Sequence, residues 1–449
     1  MIKIYSAAWV VPVSSTPIVD GAVAIDGSVI VDVGSRAEVA KRFPDSQTQH
    51  FREAIILPGL VNTHTHLELT AMRGYLEKEE SDFFSWLKKL TLARMFQLSP
   101  DDLMVSSTWG ACEAIRAGIT SVGDASDSAI TSVRALKAVG LRGVVFQESF
   151  GPDARLLEEN IEKLKTKVGE LRSEETELVR AGVSPHAPYT VCGPQLEAIA
   201  AYAGSQKLPL MMHAAESEAE DLLIREACGL FADNLKTRGI DFVAPRTSPI
   251  QHLRQTGILD CQPLLAHCIR VDDQDIQTIV KSGSKIAHCP KSNAKLRHGR
   301  APFAKFLSGG VTVGLGSDSV ASNNTCDLLE EARFAVLLSR AGEPDRAKAV
   351  GAADAIHAAT MGGAECLGFG NHVGELRTGL QADLAVVSLD AVHQLPVYDP
   401  MASIVFSSSG RDVVLTVVAG REVFRDGRVQ GVDEERLKAR IVEIAKKLK

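Results

Sequence analysis

The stretch LPGLVNTHTHLELT, residues 57–70, ends an apolar run on two histidines one residue apart. In an extended backbone residues i and i+2 share a face, so His64 and His66 aim together where the strand stops. Two adjacent imidazoles offer neutral nitrogens at fixed separation and suit one transition-metal ion. A pair of polar residues leaving a strand is the plainer reading of H-x-H taken alone. The rest of the chain decides between them.

From Ile55 onward the chain repeats an apolar strand, a polar tip and an amphipathic helix. The strand-like runs are AIILPGLVNTH, ITSVGDAS, LRGVVFQES, LVRAGVSPH, PLMMHAAES, PLLAHC, SKIAHCPKSN and VTVGLGSDS. Between them, SPDDLMVSSTWGACEAIRAG reads as a helix with Ser99 as N-cap, Pro100 in the first turn and Gly118 at its end. PQLEAIAAYAG and DDQDIQTIVKSG end on glycine in the same way. Continuous apolar strands alternating with helices imply a parallel sheet buried on both faces. Eight such units over about 300 residues fit a closed, distorted (β/α)8 TIM-type barrel better than an open doubly wound sheet.

The chain ends have another texture. GAVAIDGSVIVDVGS near the start alternates short β-rich runs with Asp-Gly and Gly-Ser turns, as small antiparallel hairpins do. GELRTGLQADLAVVSLD and DVVLTVVAGREVFRDGRV repeat that texture late. The expected organisation is a small β-sandwich domain built from residues 1–56 and 371–430, a catalytic barrel over 57–370, and a C-terminal helix over 431–449. In that last segment Leu437, Ile441, Ile444 and Leu448 fall at helical spacing, as for an amphipathic helix docked on the body.

With 449 residues, 45% apolar and 23% charged, the composition is that of a globular enzyme. A net charge of −7 leaves no basic footprint for nucleic acid. No run reaches the 18 or so apolar residues of a membrane-spanning helix, and MIKIYSAAWVVPVSS makes a poor signal peptide. The eight cysteines form no C-x-x-C pair and read as reduced, mostly buried thiols, with the cytoplasm as the expected compartment.

Groups able to bind metal or move protons stand at nearly every expected strand tip. His64 and His66 follow the first strand, His186 the fourth, and His213, with Glu216 three residues on, the fifth. His267, His288 and Asp318 follow the sixth, seventh and eighth. In a barrel the strand ends ring one mouth, where active sites are built, so these residues converge in space.

The order H-x-H, HAAE, AHC, HCPKSN and GSDSVASNN resembles the amidohydrolase superfamily, and within it the deaminase and chlorohydrolase branch that includes adenosine-type nucleoside deaminases. The resemblance runs nearly the whole length, from ILPGLVNTHTH to GELRTGLQADLAVV. It implies that His64, His66, His213 and Asp318 hold one divalent metal, zinc foremost, with iron as the alternative. Binuclear relatives carry a bridging lysine at the fourth strand; RAGVSPHAP has none, so a single metal is expected. Three imidazoles and a carboxylate leave room for a water, as a catalytic site requires.

Water held by such an ion has its pKa lowered from about 15.7 to roughly 7. In the implied reaction Asp318 accepts its first proton, His267 orients it, and it attacks an amino-bearing sp² carbon of an electron-poor ring. Glu216, in the H-x-x-E pattern, protonates the neighbouring ring nitrogen so that ammonia leaves. His186, in SPHAPYT, resembles the substrate-contacting histidine of nucleoside deaminases. The role of His288 stays open, and SVASNN is expected to shape the rim beside Asp318.

The segment HTHLELTAMRGYLEKEESDFFSWLKKLTLARM is expected to line the mouth, with Glu68, Arg73 and Trp86 as candidate substrate contacts. Deaminases of methylthioadenosine and adenosylhomocysteine carry a ribose-gripping glutamate soon after the WL pair; here Met95 takes that position. The THLEL form, with Glu68, is similar to aminodeoxyfutalosine deaminases, which also act on an adenine ring; a Glu68 at the surface, or behind the contacting residues, is the alternative. The expected activity is hydrolytic deamination of an adenine-type ring on a nucleoside-like small molecule. The alternatives are hydrolysis of s-triazines or deamination of a free base such as guanine or cytosine, and, from another class, a non-catalytic binding protein retaining the barrel. A homo-oligomer, as relatives often form, is left open.

Overall fold

The computed structural model describes residues 2–80, 82–342 and 349–449. The chain opens with β1 (Lys3–Val10), β2 (Ile18–Asp26), β3 (Val29–Ser35) and β4 (Gln47–Pro58). β1 pairs antiparallel with β2 and parallel with β4, and β2 pairs antiparallel with β3. The run AIILPGLVNTH, read above as one strand, is two strands in different sheets. Proline cannot continue a ladder, and a Cβ on Gly59 would stand 2.1 Å from the Thr120 side chain. The chain therefore turns at Pro58–Gly59 and enters β5 (Leu60–Thr65), which carries His64 to its end.

β5, β6 (Ile119–Ser126), β7 (Arg142–Ser149) and β8 (Val179–Pro185) form one four-stranded parallel sheet. β9 (Met211–Ala214), β10 (Leu264–His267), β11 (Lys285–His288) and β12 (Val313–Leu315) form another. Helices lie between successive strands, and β6 and β7 are buried along their whole lengths, as sheets covered on both faces are. Isolated parallel bridges join the two sheets at both edges, Val183 to Leu210 and Thr65 to Asp318. At the second, Asp318 N donates to His64 O at 2.9 Å and Thr63 Oγ1 to Leu315 O at 2.8 Å. The ends of β5 and β12, carrying His64 and Asp318, are thereby brought to one rim.

β13 (Leu384–Ser388), β14 (Val413–Val418), β15 (Arg421–Arg425) and β16 (Arg428–Val429) complete an eight-stranded sheet with β1–β4, in the order β16-β15-β14-β13-β4-β1-β2-β3. Both chain ends thus build one β unit. Three strands separate β1 from β15, a span of about 19 Å in a flat sheet, yet Tyr5 Oη donates to Glu422 Oε1 at 2.7 Å. The sheet is bent back on itself, enclosing Val23, Ile25, Ile56, Leu384, Val386 and Leu415.

The helix Pro100–Arg116 has the expected cap: Ser99 Oγ accepts from Asp102 N, and Asp102 Oδ2 accepts from Ser99 N. Asp273–Ser282 stops at Gly283, as its sequence requires. Gly193–Gln206 runs past the expected stop at Gly204 and ends at Lys207, which takes the left-handed conformation at φ +51. The C-terminal helix Glu434–Leu448 buries Ile444 and Leu448 beside Leu98 and Leu103, and Lys447 Nζ reaches the buried Asp102 at 2.7 Å. All eight cysteines are free, and no helix among the described residues is long and apolar enough to cross a membrane.

One buried ion pair ties the first parallel sheet to the β unit. Arg142, at the start of β7, donates to both Asp383 oxygens, at 3.2 and 3.0 Å, and to Gln381 Oε1. Asp383 also accepts from Ala419 N at 2.7 Å. Removing one member of a buried pair strands the other charge, at a cost of about 3–5 kcal/mol. Arg142→Met should therefore lose stability of that order in denaturant unfolding, and Arg142→Met with Asp383→Asn should recover part of it; a loss under about 1 kcal/mol in the single variant would contradict the role.

Candidate active site

Four of the expected ligands meet at the rim. His64 Nε2 lies 3.4 Å and His66 Nε2 3.6 Å from Asp318 Oδ1, and His66 Nε2 lies 3.2 Å from His213 Nε2. A tetrahedral zinc with bonds of about 2.0–2.1 Å separates its donors by about 3.3–3.4 Å, so these spacings fit one ion. Donor atoms of His64, His213, His267 and Asp318 lie within 4.8 Å of one another, and His66, Glu148 and His213 form an overlapping group. The nitrogens His64 Nε2 and His267 Nε2 are buried without a hydrogen-bond partner. Unpaired lone pairs in a dry site are costly, and a cation satisfies them.

The supporting bonds aim these side chains. His213 Nδ1 lies 2.8 Å from the His186 carbonyl and His267 Nδ1 2.8 Å from Asn293 Oδ1. With Nδ1–H donating, each ring turns a free Nε2 lone pair to the centre. Asp318 Oδ2 accepts from Ser292 Oγ at 2.6 Å and Ser322 Oγ at 3.0 Å. The SVASNN motif thus holds the Asp318 carboxylate through Ser322, besides shaping the rim. Buried Asp124 accepts from Thr65 Oγ1 and Leu67 N, at 2.8 and 2.7 Å, gripping the chain on both sides of His66. Burial pushes the Asp124 carboxyl up to about 7. His267 and Asp318 both take left-handed backbone, at φ +74 and +57; such strain persists where surroundings over-determine it.

Glu216 is buried, not solvated as the acid-rich ESEAED context would suggest. Its Oε2 accepts from Tyr189 Oη at 2.9 Å, and its Oε1 lies 3.7 Å from both His267 Nε2 and His298 Nε2. Glu220 accepts from Ala215 N and Glu216 N at 2.9 and 2.8 Å, fixing the turn that presents Glu216. Burial raises the Glu216 pKa, but His267, His298 and His213 outweigh it and hold the carboxyl below its ordinary range. Burial opposes ionisation of Asp318 as well; His64, His267 and His66 override it and keep the carboxyl well below the usual value.

The rim opens on a cavity of about 610 Å³, within the range of small-molecule sites. His186, Glu68 and Trp86 line it. His186 Nδ1 sits 2.8 Å from Thr190 Oγ1, whose own hydroxyl donates to Ala187 O, so the ring leaves Nε2 as an acceptor. Glu68 lines the wall with its carboxylate engaged by Arg94 Nε at 2.8 Å and by Ser128 N at 3.1 Å. Arg73, expected at the substrate, is not among the lining residues: its guanidinium is bound by the Glu113 carboxylate and the Asn324 carbonyl. His288 packs on Phe303, with ring centroids 5.0 Å apart, and faces a separate small crevice. Met95 is 60% exposed at the mouth, on the helix Phe83–Phe96, while its neighbour Arg94 turns inward to Glu68 and Asp127.

Glu148, Tyr189, Arg94 and His298 were not singled out from the sequence. Glu148 carried the same signal as the histidines, a titratable group at the tip of LRGVVFQES. Tyr189 follows His186 by three residues, on the loop beyond β8. His298 and Arg94 lie on a loop and on a helix far from any strand tip, where no periodicity marks them.

The amidohydrolase family model matches residues 55–423, and a bacterial imidazolonepropionase-like composite domain matches residues 21–45. The chain is 32% identical over 439 residues to a 5-methylthioadenosine/S-adenosylhomocysteine deaminase of Syntrophobacter fumaroxidans, covering 96% of this chain and 94% of that one. It is 34% identical to the protein of the same name from Natronomonas pharaonis, covering 84% and 83%. An adenosine deaminase from Xanthomonas campestris, solved with bound zinc, superposes with a TM-score of 0.87 at 27% identity over 99% of this chain and 98% of that one. The atrazine chlorohydrolase of Arthrobacter aurescens, solved with zinc, gives 0.84 at 25% identity over 99% and 100%.

Burial pushes the imidazoles of His64, His66 and His213 from 6.5 down to about 4. Protons compete with metal for these nitrogens only where the rings begin to charge. Divalent-ion occupancy, measured by equilibrium dialysis, should therefore be flat from pH 8 to 6 and fall as the pH drops through about 4. Loss of the ion near the ordinary histidine value of 6.5 would contradict this environment.

Proposed function

This chain belongs to the amidohydrolase family, and from that premise we propose that it is a metal-dependent deaminase releasing ammonia from the adenine-type ring of a nucleoside-like substrate. The observation that carries the reading is Glu216, buried beside the His267 ring and steadied by Tyr189, at the edge of the imidazole cluster. Relatives named for deamination of methylthioadenosine and adenosylhomocysteine, similar over most of the chain, support the substrate class. The reading places the site on a distorted (β/α)8 barrel made of the two parallel sheets over residues 57–370. The bent eight-stranded sheet would be its sandwich companion, from residues 1–56 and 371–430.

In this reading His64, His66, His213 and Asp318 hold one divalent ion, and the zinc in two similar structures favours zinc. When bound, such an ion makes a water acidic enough to serve as nucleophile near neutral pH. The proton traffic belongs to the protein. Both Asp318 and Glu216 rest ionised, so any proton that Glu216 delivers is first acquired within the turnover. The attacking water supplies it. One water proton passes through Glu216 to the ring nitrogen beside the reacting carbon. The other passes through Asp318 to the departing amine, leaving a ring carbonyl and ammonia. His267, fixed by Asn293, directs the water. His186 Nε2 offers an acceptor to the substrate on the neighbouring wall.

Two measurements test this reading. Glu216→Gln should keep the metal and lower kcat by about 10²- to 10⁴-fold; near-normal turnover would remove Glu216 from the reaction. Ammonia should appear from at least one of adenosine, methylthioadenosine, adenosylhomocysteine and aminodeoxyfutalosine. Turnover confined to s-triazines, guanine or cytosine would keep the site and overturn the substrate class.

A further inference from the structure

Five carboxyl groups line the cavity among the described residues: Glu68, Asp127, Glu148, Glu216 and Asp318. Four are engaged. Glu68 accepts from Arg94, Asp127 N and Ser128 N. Asp127 accepts from Arg94 at 2.9 Å and Lys167 at 2.6 Å. Asp318 is held by Ser292 and Ser322, and Glu216 by Tyr189. Glu148, at the end of β7, is the exception. It is 6% exposed, and its Oε1 is buried without a hydrogen-bond partner. That Oε1 lies 4.0 Å from His66 Nδ1, and ligand atoms of Glu148, His66 and His213 lie within 4.8 Å of one another. A buried acceptor with no donor is costly, and Glu148 is one of the residues lining the cavity.

Its place relative to Glu216 gives it meaning. The His66 and His213 rings stack with centroids 5.2 Å apart, and those of His213 and His267 with centroids 5.5 Å apart. The three rings form a row with His213 in the middle. Glu148 stands beside the His66 and His213 rings, and Glu216 beside the His267 ring. In the reading proposed above, the amino-bearing ring carbon must lie against this row, with the adjacent ring nitrogen on the Glu216 flank. One N–H of the exocyclic amine points toward that nitrogen, and the other points to the opposite flank.

We infer that Glu148 is a specificity-determining residue that accepts a hydrogen bond from the exocyclic amino group of the substrate, on the side of the ring away from Glu216. The inference rests on the deaminase reading and adds a leaving-group preference to it. An amine supplies the N–H that Glu148 lacks, whereas a chloride at the same carbon supplies none and leaves the carboxyl unpaired. The protein therefore favours amino over chloro substrates through a residue outside the ligand set that the resemblance implied.

The test compares 6-aminopurine riboside with 6-chloropurine riboside, which hydrolyse to one product, in the wild-type protein, Glu148→Ala and Glu148→Gln. Glu148→Ala should lower kcat/KM for the amino compound about three- to tenfold, as expected for loss of an uncharged hydrogen bond, and change the chloro compound less than about twofold. Glu148→Gln, which keeps a neutral acceptor, should fall between. Metal content should match the wild type, and turnover of the chloro compound reports that the variants are folded. Equal losses on both compounds, or loss of the metal, overturn the inference. If the wild type turns over neither compound, adenosine is excluded as a substrate and the deaminase reading is decided by the other members of the ammonia panel. Calorimetric affinities for the same pair then make the comparison: selective loss of the amino compound in Glu148→Ala supports the inference, and equal change or no binding overturns it.

Discussion

A dry cluster of imidazoles and carboxylates that the protein alone leaves unsatisfied is the constraint on which this structure turns. His64 Nε2 and His267 Nε2 are buried without partners, while Nδ1 of His213 and of His267 is committed to a neighbouring oxygen. Desolvation drives the His64, His66 and His213 rings toward the neutral form, and the buried Asp318 carboxyl is held well below its usual range by the imidazoles around it. Such an arrangement is poor as packing and sound as a cation site with room for a reacting molecule.

The fold keeps that cluster from relaxing. Asp318 is fastened to His64 through the backbone bridge that joins the two parallel sheets, and its left-handed conformation turns the carboxylate inward. Gly316, two residues before it, has no room for a side chain: a Cβ there would stand 2.9 Å from both Cys289 Sγ and His64 Cβ. Asp124 grips Thr65 and Leu67, and Glu220 grips the backbone of Ala215 and Glu216. Side chains from distant parts of the chain are thereby held within a few ångströms of one another, as a shared ion requires. The long chain separations carry no entropic penalty at the moment of binding, because folding has already closed them.

Much of this was legible in the sequence because strands put their chemistry at their tips. The alternation of apolar run and helix exposed the parallel units, and the polar residue ending each run exposed His64, His66, His213, His267 and Asp318. Glu148 obeyed the same rule and was passed over, because one acid at a strand end is common. What stayed hidden depends on tertiary contact. Pro58 hints at a break, but that the apolar run divides between two sheets depends on its partners, β13 for the first half and β6 for the second. Arg73 and Arg94 lie in the same mouth segment, yet Glu113 draws one away and Glu68 draws the other in. His288 shares a strand-tip position with the others but sits against Phe303, where its ring serves packing.

X-ray absorption at the edge of the metal in the purified protein reads the central claim directly. The account predicts four or five nitrogen and oxygen donors at about 2.0–2.2 Å, with the outer-shell pattern of imidazole. A sulfur shell at about 2.3 Å would instead assign the ion to buried thiols such as Cys289 or Cys268. That result, or a protein devoid of metal, would contradict it.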